Sequence, residues 1–272
     1  MLVATRGIAA VGQYNPFGVS TDLTDFPTGA QMVSGAEEAR RAAREQIGHG
    51  ADLIKVYADW RYPTLTVEEM HVVVEEAHKQ GLKVAAHATT PEGIKNAVSA
   101  GVDSIEHGHG ADKHALEGKE TGVFLVATGG VVDETVEKAT PEQRQRMESF
   151  LRGIEQEVKE AMSLGVKMAS GFDASEIGLH GKNAEELVGL VRRGLSPADA
   201  IRAATVNAAE LLGWQDRVDA VETGKLADLI AVDRDPLADI TVLLEVKFVM
   251  KEGTVVKNSY VIGRAEPGVV PG

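Results

Sequence analysis

The 272-residue chain contains no cysteine, which excludes a disulfide framework, a thiolate nucleophile and thiolate metal ligands. A bound metal would have to rest on histidine, carboxylate or modified lysine. Basic charge is also in deficit. Twenty-eight Lys and Arg against 41 Asp and Glu leave a net charge of −13, which argues against nucleic acid or an anionic membrane as partner and points to a small-molecule substrate. No apolar run approaches the ~18 residues of a transmembrane helix. The start, Met1 to Arg6, lacks the basic opening and apolar stretch of a secretory signal, so the expected compartment is the cytoplasm. The length suits one large α/β unit or a barrel with a small appendage.

What is present is a repeated grammar. Gly50, Gly81, Gly101, Gly122 and Gly165 each close a helical stretch and lead into a short apolar run. These runs are Ala51 to Tyr57, Lys83 to Ala88, Asp103 to Gly108, Val123 to Thr128 and Val166 to Asp173. Five such units in succession predict a parallel sheet wound with helices, because a parallel neighbour is reached only by a crossover. Lys55, His87, His107 and Asp173 fall at the C-terminal ends of their runs, and in a β/α barrel that rim is where chemistry is assembled. Two imidazoles and a carboxylate converging there suit a divalent metal, zinc among them.

Other positions have readings of their own. Leu2 to Gly7 reads as a first strand with Arg6 at its end, followed by a Gly- and Pro-rich loop to Gly29 that would lie over the mouth. Ser34 with Glu37, and Thr66 with Glu69, are spaced as capping boxes. His71 and His78 flank the apolar stripe of the second predicted helix, and His49 sits at a helix end, so all three read as structural. His109 and His114 belong more readily to a loop than to a ligand set, whereas His180, in a glycine-flanked loop, is the better functional candidate. Asn183 is positioned to cap a helix starting at Ala184. Pro141 to Leu164 is a charged helix, and Ser196-Pro197 opens another that Gly213 closes. After Trp214 the pattern changes to short strands with a turn at Glu252-Gly253.

Several of these stretches together resemble the amidohydrolase superfamily, in the branch of imidazolonepropionase-like and Xaa-Pro dipeptidase-like hydrolases. The likeness is carried by Lys55 in Ile-Lys-Val-Tyr, His87 in Ala-His-Ala, His107 in Ile-Glu-His-Gly and Asp173 in Ser-Gly-Phe-Asp-Ala. It continues through His180-Gly-Lys-Asn183 with Glu186, Ala204-Thr-Val-Asn207 and Gly224-Lys-Leu-Ala-Asp228. By that resemblance the fold is a (β/α)8 TIM-type barrel lacking its first two strands, with the C-terminal part of a small β-sandwich. The barrel would occupy residues 1–213 as strands 3 to 8, the sandwich portion 214–257 and a flexible tail 258–272. The His-x-His pair of the family's first strand has no counterpart.

The resemblance further implies a function. Lys55 would be carboxylated and bridge two metals, His87 and His107 would hold the second metal, and Asp173 would ligate the first and act as the proton acceptor. Without the His-x-His pair, one metal rather than two is expected here. Tyr57, two residues after Lys55, would face the same side and donate to an oxyanion, or simply line the barrel. Arg6 would bind a substrate carboxylate or form a structural salt bridge, and His180 would contact substrate. The expected reaction is hydrolysis of a C–N bond in an amide, dipeptide-like or cyclic amide by a metal-activated hydroxide. The alternatives are an esterase or phosphoesterase with the same metal site, or a catalytically impaired barrel fragment. Open strand edges would call for a homo-oligomer or a missing N-terminal segment.

Overall fold

The computed structural model describes residues 1–12, 28–60, 63–116, 122–174 and 177–260. Most of the loop expected over the mouth, and the tail beyond Tyr260, lie outside the described residues. Seven parallel strands form one sheet: β1 (Gly7–Ala10), β2 (Ala30–Val33), β3 (Leu53–Tyr57), β4 (Lys83–Ala88), β5 (Ser104–His107), β6 (Phe124–Ala127) and β7 (Met168–Ser170). Their spatial order is β2-β1-β3-β4-β5-β6-β7. Ile8, Val56, Ala86, Ile105, Leu125 and Met168 pair in succession across it. This common level sets the heights of the strand side chains discussed below.

The connecting helices are α1 (Ala36–Gly48), α2 (Val67–Lys79), α3 (Pro91–Ala100), α4 (Lys113–Leu116), α5 (Gly129–Glu137) and α6 (Pro141–Leu164), followed by α7 (Glu185–Arg192), α8 (Pro197–Ala204) and α9 (Val206–Leu211). Local chemistry sets their ends. Thr66 and Glu69 close a capping box on α2, Thr140 and Gln143 do the same on α6, and Gly101 and Gly165 end α3 and α6 in the left-handed conformation. One face of the sheet (Ile8, Ile54, Val56, Val84, Ala86, Ile105 and Leu125) packs with Ala39 and Ala43 of α1, Met70 and Val73 of α2, and Ile94 of α3 in a single buried cluster. Burying each of the larger aliphatic side chains is worth roughly 1.5–3 kcal/mol, so this face ties the helices to the sheet. The opposite face surrounds a cavity of about 410 Å³ lined by Lys55, Ala85, Ser104, Glu106, Val126 and Ser170 among others. A separate antiparallel sheet of β8 (Leu229–Ala231), β9 (Phe248–Lys251) and β10 (Thr254–Asn258), in the order β10-β9-β8, follows. No helix among the described residues is long and apolar enough to cross a membrane.

The wound α/β architecture agrees with expectation, and several local features do not. The first strand starts at Gly7 rather than ending there. Thr5 takes a left-handed backbone (φ 55°), and the buried Gln46 side chain accepts from the Thr5 hydroxyl at 2.9 Å and the Arg6 amide at 3.2 Å, which holds Leu2–Arg6 off the sheet. Strand β2 was unforeseen: Ala-Gln-Met-Val carries no strong strand signal, and only pairing with β1 orders it. Helix α1 is capped one residue later than the Ser34 box requires. Gly35 is its N-cap, and Glu38 reaches back to the Ser34 amide at 2.8 Å. Asn183 is not the cap of α7, whose N-cap is Ala184 with no side-chain bond. The helix opened by Ser196 breaks at Thr205, after which Asn207 of α9 donates to the Met168 carbonyl at 2.8 Å and fastens that helix to β7.

Candidate active site

Register places Tyr57, His87 and Glu106 at one level, with Ala88 paired to His107 one step higher. Alternation along β3 turns Leu53, Lys55 and Tyr57 away from the helices, as their half-buried state beside fully buried Ile54 and Val56 shows. Gly7 makes this possible. A Cβ there would sit 2.6 Å from the Tyr57 ring and 3.3 Å from the Lys55 side chain, so the first strand must carry no side chain where these two cross it.

His107 departs from the pleat. Continued alternation would send it to the helix side, yet its φ of 71° lies in the left-handed region, which re-aims the ring. Its Nδ1 lies 2.8 Å from the Thr128 hydroxyl, and its ring centroid is 4.7 Å from that of His87. Asp173 also has positive φ, 52°, and lies beyond the short β7 at an exposed position. Of the five non-glycine residues with positive φ among the described residues, two are thus candidate site residues. Such strain costs of order 1–3 kcal/mol each and tends to gather at functional sites.

Burial dominates the electrostatics of this pocket. Burial lowers the pKa of Lys55, against the opposing pull of the Glu106 and Asp173 carboxylates. Burial also depresses the imidazoles: His87 to about 2, with His107, Lys55 and His109 adding repulsion, and His107 to about 4, with Lys55 contributing. Both rings are therefore neutral at ordinary pH, the form in which histidine binds a metal.

His109 proves closer to this centre than its loop position suggests. Its ring is 5.6 Å from that of His107, and burial, His107 and Arg193 together lower its pKa to about 3. Arg6 is not at the mouth: it precedes β1, and its guanidinium donates to the Ala30 carbonyl at 2.6 Å. The misplacement follows directly from the strand beginning one residue after it. His180 is exposed and follows a single 3-10 turn, Ile177–Leu179. His71 and His78 lie exposed on α2, bonded to the Ala100 carbonyl and to Asp103, while His49 is the C-cap of α1. Among the described residues, none of the three makes a ring contact with His87 or His107.

Lys55, His87, His107 and Asp173 are thus brought to one end of one sheet, as two groupings. The first is the His87–His107 ring contact, and the second is Lys55 within the field of Asp173 and Glu106. Among the described residues no three His, Asp or Glu side chains come close enough to hold a metal ion together. The donor chemistry nonetheless fits a divalent metal in part: two adjacent neutral imidazoles are available, and a buried lysine leaning toward the neutral amine stands nearby.

A family model described as "Amidohydrolase family" matches residues 5–256. The chain belongs to the amidohydrolase family. Ochratoxinase of Aspergillus niger is 36% identical to it over 238 residues, 80% of this chain and 48% of that protein. Imidazolonepropionase of Kosmotoga olearia is 28% identical over 202 residues, 70% of this chain and 45% of that protein. The crystal structure of a Xaa-Pro dipeptidase with methionine bound in its active site superimposes with a TM-score of 0.82 at 35% identity, covering 93% of this chain and 66% of that one. This amidohydrolase chain spans about half the length of the curated relatives it matches.

Three features of the candidate site in this amidohydrolase chain escape a reading by motif. Glu106 faces Lys55 because Ser104 and Glu106 share the cavity side of β5, with the Ser104 hydroxyl donating to Glu106 at 2.5 Å. Period-two alternation from Ser104 would have found it, but attention falls on the strand-end histidine instead. Thr128 fixes His107 across 21 residues of sequence, and no local signal announces that. Asp59, fully buried, accepts from the amides and hydroxyls of both Thr89 and Thr90 at 2.8–3.1 Å and lies 3.9 Å from His87 Nε2, so it anchors the β3 and β4 ends beside the ring.

Proposed function

We propose that this chain carries part of the active centre of a metal-dependent hydrolase that cleaves a C–N bond in an amide, dipeptide-like or cyclic amide substrate. The observation that carries the reading is the packing of neutral His87 against neutral His107 at the ends of adjacent strands, with buried Lys55 on the same face. Family membership supports it, and so does the similarity to ochratoxinase and to a Xaa-Pro dipeptidase. His87 and His107 would hold the metal, zinc by donor type, with Thr128 orienting His107 through Nδ1 and leaving Nε2 for the ion. When bound, the metal supplies a Lewis acid and a water able to act near neutral pH.

The chain's own residues supply the rest. Burial holds Lys55 toward the amine, the form that reacts with carbon dioxide to give a carbamate. Asp173 takes the proton released by the attacking water and passes it to the leaving nitrogen, so the amine departs neutral. Tyr57, leaning over Gly7 beside Lys55, donates its hydroxyl to the carbonyl oxygen as negative charge develops there. His180 contributes a substrate contact from its loop. The catalytic unit corresponds to residues 1–213, and the small sheet after Trp214 forms a separate portion of β-sandwich.

The test is to reconstitute the purified protein with zinc, measure bound metal by atomic emission, and assay amide, dipeptide and ester panels. His87→Ala and His107→Ala should each lose the metal and amide turnover. Full metal content in both variants would overturn the ligand assignment. Ester cleavage without amide cleavage would move the reading to an esterase.

A further inference from the structure

The histidine pair lies inside a longer file of rings. Trp60, His87, His107, His109 and Phe150 follow one another with centroid separations of 4.6, 4.7, 5.6 and 4.8 Å. The two ends of the file are its exposed members. Trp60 is 42% and Phe150 43% exposed, although large aromatic side chains ordinarily carry a heavy drive toward burial. Aromatic residues make up only 4% of this sequence. Among the described residues, three aromatic side chains are exposed to this degree, Trp60, Phe150 and Tyr260, and two of them flank the same centre.

Both end rings stand on firm bases. Trp60 meets Tyr57 edge-on, at 5.5 Å and 85°, and follows Asp59, whose bonds to Thr89 and Thr90 tie its loop to the start of α3. The close approach of that start is built in, since a Cβ on Gly93 would fall 2.0 Å from the Asp59 carboxylate. Phe150 projects from α6 edge-on to His109, at 4.8 Å and 87°. One turn on, Gly153 lets the same helix face press against the His109 backbone, where a Cβ would stand 2.9 Å from the carbonyl oxygen. Preorganised rings lose little entropy on binding.

We propose that Trp60 and Phe150 are specificity-determining residues, two aromatic platforms at the two ends of the ring file that runs through the histidine pair, which select substrates carrying a flat aromatic group on each side of the bond to be cleaved. This rests on the reading that His87 and His107 mark the reaction centre. A carbonyl held at the pair would direct its acyl substituent toward one platform and its amine substituent toward the other. Aromatic contacts of this kind contribute beyond simple area burial, whereas a small aliphatic amide would reach neither ring.

The experiment reads binding without turnover. Benzyl phenyl ketone, in which a methylene replaces the amide N–H, cannot be hydrolysed at a C–N bond, and butanone is its aliphatic counterpart. The sequence has two tryptophans, so Trp214→Phe leaves Trp60 as the sole indole emitter. Titration with the aromatic ketone should change Trp60 emission, and butanone should not. By calorimetry, Trp60→Ala and Phe150→Ala should each weaken the aromatic ketone by about 2- to 10-fold, with Trp60→Phe keeping most of the affinity and butanone unaffected throughout. Unchanged emission, unchanged affinity in the alanine variants, or equal losses for both ketones would overturn the proposal. The two readings fail separately. Aromatic binding with the expected losses but no amide hydrolysis would refute the hydrolase, and amide hydrolysis indifferent to both rings would refute the platforms.

Discussion

Glu186 offers the sharpest test of the electrostatics behind the site. It lies fully buried on α7, where one carboxylate oxygen accepts from the Gly130 amide at 2.5 Å and the other has no partner. Its surroundings are mixed. Glu157 of α6 is buried with both oxygens unpartnered, and Arg193, paired with Asp133 at 2.6 Å, has one buried nitrogen unpartnered. Burial raises the Glu186 pKa from 4.5 to about 7, against the opposing effect of the Gly130 amide and Arg193. Burial and the nearby Glu186 also raise Glu157 well above its ordinary value. A carboxyl whose folded pKa lies above its unfolded value binds its proton more tightly in the folded state. Its contribution is therefore complete below about pH 4.5 and is lost as pH rises to about 7. Raising the pKa from 4.5 to about 7, at ~1.4 kcal/mol per pH unit, corresponds to about 3.5 kcal/mol of stability once the loss is complete above pH 7. Glu186→Gln keeps an oxygen for the Gly130 amide and cannot ionise. Urea unfolding at pH 5, 6, 7 and 8 should show the variant gaining on the parent as pH rises, by about 2.5 kcal/mol between the ends of the range, since part of the loss precedes pH 5. Parallel curves would refute the reasoning. A penalty that grows with pH would show instead that Glu186 is ionised and paired with Arg193 in the native state.

Three further outcomes are expected. Thr128→Val removes the hydroxyl that holds His107 Nδ1 and should weaken zinc binding ~10- to 100-fold in chelator competition; unaltered affinity would remove Thr128 from the site. Gly93→Ala drives a methyl to within 2.0 Å of the Asp59 carboxylate and should cost about 1–3 kcal/mol in urea unfolding, whereas a neutral result would mean that the α3 start is not locked to Asp59. His71→Gln and His78→Gln, on the exposed side of α2, should leave metal content unchanged where His87→Ala abolishes it, and metal loss in all three would show that the ligands have been misassigned.

The wound α/β architecture is legible in the amino-acid order alone, because its signals are local and repeated. Gly81, Gly101 and Gly165 end helices in a conformation that other residues resist, Thr66 and Thr140 begin them, and the runs between are short and apolar. The amino-acid order also determined which end of the sheet bears Lys55, His87 and His107, since strand direction and helix–glycine order fix that without any tertiary contact. Other features depended on partners distant in sequence. Strand β2 exists through its pairing with β1, and Arg6 is drawn to the Ala30 carbonyl because Gln46 restrains the residues before it. His107 reaches the cavity side through a backbone torsion that alternation does not foresee, and it is held there by Thr128 from the next strand. The ring file from Trp60 to Phe150 draws on the ends of three separate strands and a helix. No spacing in the sequence encodes it, because distances between strand ends are set by sheet register and by the helices packed behind them.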